Sequence, residues 1–170
     1  MLKKKIKIMY VMTCYCQGEI HDDRLLSDVV LIDWQLRLLS YLSKLGYEIY
    51  VKPHPESLID VPEFFKDSIG VKVLTKKFEK VYKKADILLF DNPFTTTFGF
   101  ALKTKKPLIF IDFFMIDLHL KERELLEKRC YAIKGKFLID NRVEIDWEDL
   151  DLGLNECFNH IDTSYAKDVL

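Results

Sequence analysis

The stretch ADILLFDNPFTTTFGFALKTKKPLIFID, residues 85–112, decides the fold of this chain. It opens with a short apolar run, turns between Asp91 and Phe94, continues with a helical pattern and closes with a second apolar run. Two short apolar runs joined by roughly ten residues of helical pattern predict a strand, a crossover helix and a second, parallel strand. Three consecutive threonines stand where the first strand ends and the helix begins.

The same alternation extends over the rest of the chain. The predicted strands are residues 5–12, 47–52, 71–74, 86–90, 107–111 and 131–139. The predicted helices are residues 29–46, 63–70, 76–85, 95–105, 120–130 and 147–160. Strands separated by helices form right-handed crossovers, which give a largely parallel sheet with helices on both faces. The sequence therefore predicts an α/β fold, a Rossmann-like three-layer αβα sandwich with a mainly parallel sheet.

The length of the chain, 170 residues, predicts a single domain. We expect its core within residues 5–140, followed by a helical, acidic tail over about residues 147–170. The charge is nearly balanced, with 26 basic and 27 acidic side chains, which argues against a nucleic acid partner. Charged residues interrupt the apolar runs well short of the roughly 20 residues that cross a bilayer, so no transmembrane segment is predicted.

The cysteines bear on the compartment and on metal binding. Cys14, Cys16, Cys130 and Cys157 are most simply reduced thiols, as in a cytoplasmic protein. A peripheral position at the inner face of the membrane is the alternative location. Cys14, Cys16 and His21 form a C-x-C-x4-H pattern, but a second Cys/His pair at zinc-site spacing does not follow. We therefore expect no metal.

Ligands of such sheets bind beyond the carboxyl ends of the strands, so the loops at 13–24, 53–57, 75–77 and 91–97 are the candidate binding segments. In the second loop, His54 stands between two prolines that restrict its backbone. Its imidazole could donate to a phosphate oxygen, with charge added by Lys52, unless Lys52 lies on the other face of its strand. The alternative is a rigid loop that exposes a histidine.

The threonine loop is the second candidate. Asp91 ends the strand, and Thr95, Thr96 and Thr97 fall at the N-cap and first turn of the helix. Their hydroxyls and the free backbone N–H groups would form an anion site, most naturally for phosphate. The alternative is that one threonine caps the helix and the others pack. Because both loops lie at strand ends on the same edge of the sheet, the binding interpretation is favoured.

Three other sequence patterns bear on function. Asp22 and Asp23 suit an exposed acidic turn, whereas the neighbouring Arg24 could approach a phosphate. The helix that contains Trp34 has an amphipathic pattern, so its apolar residues, Trp34, Leu36, Leu38 and Leu39, are assigned to the core. The charge run KERELLEKR, residues 121–129, is interpreted as a solvated helix face.

The stretch YEIYVKPHPES, residues 47–57, followed by residues 85–112, carries a resemblance. It resembles the C-terminal domain of GT-B-fold glycosyltransferases, with most similarity to the capsular and surface polysaccharide families and the CDP-glycerol glycerophosphotransferases. Their pattern runs K-P-H-P, then A-D-hydrophobic-D, a Ser/Thr pair, E-A-L and K-P-hydrophobic. The resemblance spans about residues 5–115.

The resemblance implies a domain that binds a nucleotide-activated donor, such as a UDP-sugar or CDP-glycerol. It assigns His54 and Thr95 to Thr97 to the donor phosphates, and it implies neither a metal nor a cofactor. A separate domain or subunit would bind the acceptor and supply the catalytic base, so no catalytic residue is assigned to this chain. Where the family has a ribose-binding glutamate, this sequence has Gly99 or Phe100.

Three functions therefore remain open. The first is the donor-binding part of a GT-B transferase, as a truncated product, a split-enzyme subunit or an inactive remnant. The second is half of an enzyme like the UDP-sugar 2-epimerases, which need no acceptor. The third is a non-catalytic module that binds a nucleotide or a protein.

Overall fold

The computed structural model describes residues 5–15, 26–57, 60–61, 63, 65–113, 119–140 and 142–168. They form a seven-stranded sheet in the order β3-β2-β1-β4-β5-β6-β7. The strands are β1 (Lys7–Val11), β2 (Glu48–Lys52), β3 (Lys72–Val73), β4 (Ile87–Phe90), β5 (Leu108–Asp112), β6 (Tyr131–Phe137) and β7 (Val143–Ile145). Strands β1 to β6 are parallel, and β7 pairs antiparallel with β6. The predicted Rossmann-like α/β fold is confirmed.

Helices cover both faces of the sheet. They are α1 (Asp28–Lys44), α2 (Phe78–Val81), α3 (Thr96–Leu102), α4 (Leu120–Arg129), α5 (Trp147–Glu156) and α6 (Ser164–Asp168). Short 3-10 turns extend α2 and α5, over Tyr82–Lys84 and Cys157–Asn159. Among the described residues of the connection from β2 to β3, Phe65–Ile69 form a π-helical turn, where the sequence predicts a helix over 63–70.

The central strands β1, β4 and β5 are buried on both sides, which divides the core into two layers. On one face, side chains of alternate strand positions, such as Tyr10 and Leu89, pack against α1 and α5 around the fully buried Trp34. On the other face, the intervening positions, such as Phe90, pack against α2, α3 and α4. These three strands therefore have nearly continuous apolar sequences, which is the pattern of a parallel sheet covered on both sides.

The end of the chain belongs to this core. Leu150 and Leu154 of α5 are buried in the α1 layer, and Tyr165 of α6 is buried in the opposite layer. Gly153 lets α5 approach the sheet closely, because a Cβ there would lie 2.7 Å from the ring of Tyr131. The core thus extends past residue 140, and the segment expected to be a tail contributes helices to both faces.

One assignment of side chains made from the sequence is wrong, and another holds only in part. Leu36 of α1 is exposed, whereas Trp34, Leu38 and Leu39 are fully buried as expected. The charge run 121–129 is only partly solvated, since Leu126 and Arg129 on it are buried. No described helix is both long and apolar enough to cross a membrane.

Candidate functional site

The strand order places a topological switch point between β1 and β4. From β1 the chain proceeds outward to β2 and β3, and from β4 it proceeds in the opposite direction to β5 and β6. The loops that leave β1 and β4 therefore diverge, and they open a crevice at the carboxyl edge, the edge formed by the C-terminal ends of the parallel strands. Ligands of doubly wound sheets bind in such crevices. We call the space at this edge that is bounded by the loops 12–15, 53–57 and 91–97 the switch-point crevice.

The three threonines lie on the β4 side of this crevice and differ in role. Thr95 is the N-cap of α3, and its Oγ1 accepts a hydrogen bond from the N–H of Phe98 at 3.0 Å. Thr96 is exposed and Thr97 half-buried, and neither hydroxyl has a hydrogen-bond partner among the described residues. Since the first N–H groups of a helix have no partner within it, Thr96 and Thr97 add two hydroxyls to this set of donors.

His54 follows β2 on the other side of β1. The ring is half-buried, and its Nδ1 accepts a hydrogen bond from the N–H of Glu56 at 3.3 Å, which assigns the proton of the neutral ring to Nε2. The N–H of Ser57 donates to the His54 carbonyl at 3.3 Å, so the segment between them closes a turn. The two prolines and this turn hold the histidine at the carboxyl edge.

Lys52 is the last residue of β2 and is buried. Its Nζ donates to the carbonyl oxygen of Pro53 at 2.7 Å, so the ammonium group binds its own loop. The side chain lies on the face of α2 and α3, since it alternates with Val51, which packs in the α1 layer. Burial lowers the pKa of Lys52, and the charge of Glu79 partly opposes this. The lysine charge is therefore on the same face as the threonine helix.

Hydrogen bonds tie the His54 loop to the loop after β1. The N–H of Tyr15 donates to Ser57 Oγ at 3.1 Å, and the Cys14 thiol donates to the Glu56 carbonyl at 3.3 Å. Strands β2 and β4 pair with the same strand, since Val11 pairs with both Lys52 and Phe90. Their ends are therefore about 10 Å apart, twice the usual strand spacing. That separation fits a diphosphate contacted from both sides.

Asp91 does not point into the crevice. Its side chain is 3% exposed and turns toward α1, where Oδ2 accepts hydrogen bonds from Trp34 Nε1 at 2.9 Å and from the Tyr10 hydroxyl. Its Oδ1 accepts a longer bond, 3.4 Å, from Thr13 Oγ1. Burial raises the pKa of Asp91 although these three donors oppose the shift. Its place is beneath the crevice.

The remaining candidates lie partly outside the described residues. Arg24 is among them, as are Cys16, His21 and the Asp22–Asp23 pair. Within the described ranges, no group of three potential metal ligands occurs. Cys130 and Cys157 are free thiols, and burial raises the pKa of both to about 12. Those two thiols are therefore protonated core residues.

One ion pair at the carboxyl edge was not anticipated. Arg123 of α4 lies 3.6 Å from the carboxylate of Asp112, which ends β5 and is buried. It brings a further cation to the edge on the face of α3 and α4. The sequence could have indicated this pair, because a helix that follows β5 must start at the carboxyl edge and Arg123 lies in the first turn of that helix.

A concavity of about 510 Å³ lies elsewhere, between α4 and the segment after α5. Its lining contains three carboxylates, of Glu124, Glu127 and Asp162, and one ammonium group, of Lys128, together with Asn159 and His160. Negative charge at this density disfavours an anionic ligand. The switch-point crevice is therefore the better candidate for phosphate.

No protein-family model matches this sequence, and no curated protein matches it significantly.

Proposed function

We propose that this chain is the donor-binding domain of a GT-B-type transferase that acts in surface polysaccharide or cell-envelope biosynthesis. Its ligand would be a nucleoside diphosphate carried by a sugar, or CDP-glycerol. The diphosphate would lie in the switch-point crevice, with His54 on one side and Thr96 and Thr97 on the other. Arg24 is a further candidate for contact with the phosphates.

One observation carries this proposal. The two loops that bear the K-P-H-P and threonine motifs follow β2 and β4, the two strands that flank β1 at the carboxyl edge. The motifs are separated by some forty residues of sequence, yet the strand order brings them to opposite sides of one crevice. Backbone N–H groups, hydroxyls and a histidine at such a place supply donors to a phosphate without a metal.

Transfer would also require a second domain to hold the acceptor. The carboxyl edge offers a surface for one, because several large apolar side chains are exposed there. They are Val29 at the start of α1, Phe94 in the loop after β4, Leu120 at the start of α4 and Ile139 after β6. A second domain that docks at this edge would cover these apolar side chains.

A non-catalytic nucleotide-binding module is the second candidate. It is favoured by one feature, the lack of any carboxylate between Asp91 and Asp112 that could hold the ribose hydroxyls. A module of this kind would bind a diphosphate but would not discriminate strongly by the nucleoside.

The test is calorimetric titration of the purified chain with UDP, CDP, GDP and inorganic pyrophosphate. A hydrogen bond to a charged oxygen contributes about 1.5 to 3 kcal/mol, so Thr96→Ala and His54→Ala should each weaken binding by about tenfold to a hundredfold. Thr96→Ser keeps the hydroxyl and His54→Gln keeps an N–H donor, and both should bind more tightly than the alanine variants.

Three results would distinguish the candidates. Preference for one nucleoside diphosphate supports the transferase domain, and equal binding of pyrophosphate supports the module. If Thr96→Ala and His54→Ala both titrate like the unmodified chain, the anion site lies elsewhere and the proposal is wrong.

A further inference from the structure

We infer that Asp91 is a positioning residue, which fixes the three loops of the switch-point crevice relative to one another without contacting the ligand. The direction of the Asp91 side chain supports this role. Asp91 is the first residue after β4, yet its carboxylate turns into the α1 layer and away from the crevice. Because its side chain is buried beneath the loop 91–97, Asp91 can hold this loop in position without contacting the ligand.

The hydrogen bonds of Asp91 join three separate elements. Tyr10 belongs to β1, Thr13 to the loop that follows it, and Trp34 to the second turn of α1, and all three side chains donate to the one carboxylate. Each donor comes from a segment at least 57 positions away in sequence. The carboxylate therefore fixes the start of the threonine loop to both β1 and α1.

A second set of bonds carries this connection to the histidine loop. Gln35, next to Trp34 on α1, accepts a hydrogen bond from the Tyr15 hydroxyl through its Oε1. The backbone N–H of Tyr15 in turn donates to Ser57 Oγ at 3.1 Å. The path from Asp91 through α1 and Tyr15 thus reaches the turn that holds His54.

The cluster is closed to solvent. Tyr10, Tyr15, Trp34 and Gln35 are each exposed by 1% or less, and Gln35 Nε2 is buried without a partner among the described residues. In such surroundings the loss of one hydrogen bond is not replaced by water, so a change at Asp91 should propagate through the cluster. A carboxylate is suited to the junction because it accepts from several donors at once.

The first experiment needs no ligand and follows amide hydrogen exchange by NMR. Asp91→Ala should raise exchange at the Tyr15 and Ser57 amides by about tenfold or more, the effect of losing roughly one buried hydrogen bond. It should also shift the Trp34 indole N–H signal, which Trp147→Phe distinguishes from the other tryptophan. Asp112→Ala removes another buried aspartate at the end of a neighbouring strand, and it should leave these amides unchanged.

Two further variants keep the test decisive. Tyr10→Phe removes one donor but keeps the ring, and it should also raise amide exchange at Tyr15. This variant tests the inference even if Asp91→Ala does not fold. Asp91→Asn should restore slow exchange, because the amide oxygen can accept from Trp34 and Tyr10 while its N–H₂ donates to Thr13. Unchanged exchange at Tyr15 in both Asp91→Ala and Tyr10→Phe would overturn the inference.

The second experiment measures UDP affinity and rests on the proposed function. Asp91→Ala should weaken UDP binding by about tenfold, and Thr96→Ala should then cost less in the Asp91→Ala background than alone, because the loop is already displaced. Asp91→Asn should bind within about twofold of the unmodified chain. The inference would be overturned, and Asp91 assigned a direct role, if the losses of UDP affinity were additive or if Asp91→Asn bound UDP as weakly as Asp91→Ala. If the unmodified chain does not bind UDP, the proposed function fails, and the exchange experiment still decides the role of Asp91.

Discussion

The buried guanidinium of Arg129 donates from Nε to the carbonyl oxygen of Leu102, the last residue of α3, at 2.9 Å. The same side chain donates to the carbonyls of Ala101 at 2.8 Å, Lys106 at 3.0 Å and His160 at 3.2 Å. A positive charge at the C-terminal end of a helix also interacts favourably with its dipole. Arg129 therefore anchors the end of α3 opposite to the threonines.

Replacement of Arg129 should lower the stability of the fold. Arg129→Met leaves up to four carbonyls without their donor, so we expect a loss of about 3 kcal/mol or more in the free energy of unfolding. Arg129→Lys should cost less, about 2 kcal/mol, since one ammonium group can still reach some of the carbonyls. Urea denaturation measures both. Lys128→Met on the exposed side of the same helix should change stability by less than about 0.5 kcal/mol, and an equal effect of the two methionine variants would contradict the prediction.

Arg129 also illustrates what the sequence could not provide. The alternation of apolar runs and helical patterns was enough to predict the sheet, because strand and helix periods differ clearly. A charge run, by contrast, is interpreted as solvated unless the fold is known, and only the structure shows that carbonyls from α3 and two loops surround this arginine. The short antiparallel β7 was missed for a similar reason, since three residues carry little periodic signal.

The sequence could not predict on which face of the sheet the Asp91 side chain lies. A strand buried on both faces has apolar residues at every position, so its sequence tells which side chains share a face but not which helices cover that face. In the structure, Leu89 and Asp91 face α1 whereas Phe90 faces α3. The sequence thus located the loop correctly but not the side of the sheet on which the carboxylate lies.

A methyl group at position 135 should disturb the core. A Cβ on Gly135 of β6 would lie 2.2 Å from Cδ1 of the fully buried Phe113 ring, which must then move. We expect Gly135→Ala to lower the free energy of unfolding by about 1 to 3 kcal/mol, as overpacking of a core does. Combination with Phe113→Leu should cost less than the sum of the two single changes, as measured by urea denaturation. Strict additivity would mean that the ring is not the obstacle.

Thr95 and Thr96 should separate stability from binding. Thr95 caps α3, so Thr95→Ala should lower the free energy of unfolding by about 1 kcal/mol. Thr96 is exposed and has no partner among the described residues, so Thr96→Ala should change stability by less than about 0.5 kcal/mol while it weakens nucleotide binding. Thermal unfolding and calorimetric titration of both variants check this. A stability loss at Thr96 equal to that at Thr95 would mean that both hydroxyls serve only the helix.

The pH dependence of stability should report the burial of Asp91. Burial raises the pKa of Asp91 in the folded state, so at pH values between the ordinary pKa of an aspartate and this raised pKa the native protein holds a proton that the unfolded chain has lost. Stability from this group is therefore greatest at low pH and decreases as the pH rises from the ordinary range of an aspartate through the raised folded value. Burial also raises the pKa of Tyr10 and Tyr15, which face the cluster, so neither titrates in this range.

The comparison with Asp91→Asn isolates this effect. The amide keeps the shape but cannot ionise, so the stability of Asp91→Asn relative to the unmodified chain should increase as the pH rises from the ordinary range of an aspartate through the raised folded pKa. Urea denaturation at several pH values gives the difference. A constant difference over this range would show that the folded pKa of Asp91 is not raised.

Purified residues 1–170 should not transfer a donor sugar at a useful rate. Transfer needs an acceptor held in line with the anomeric carbon and a base that removes its proton, and orientation alone supplies on the order of 7 to 11 kcal/mol of the barrier reduction. The described residues form one Rossmann-like unit. Its crevice can bind the diphosphate but leaves the opposite side of the reacting carbon open to water. The assay is product formation from UDP-sugar and CDP-glycerol donors, with and without a candidate acceptor-side domain. Rapid transfer by the chain alone would place an acceptor site within it, whereas activity that appears only on addition of the second domain would agree with a donor-binding half.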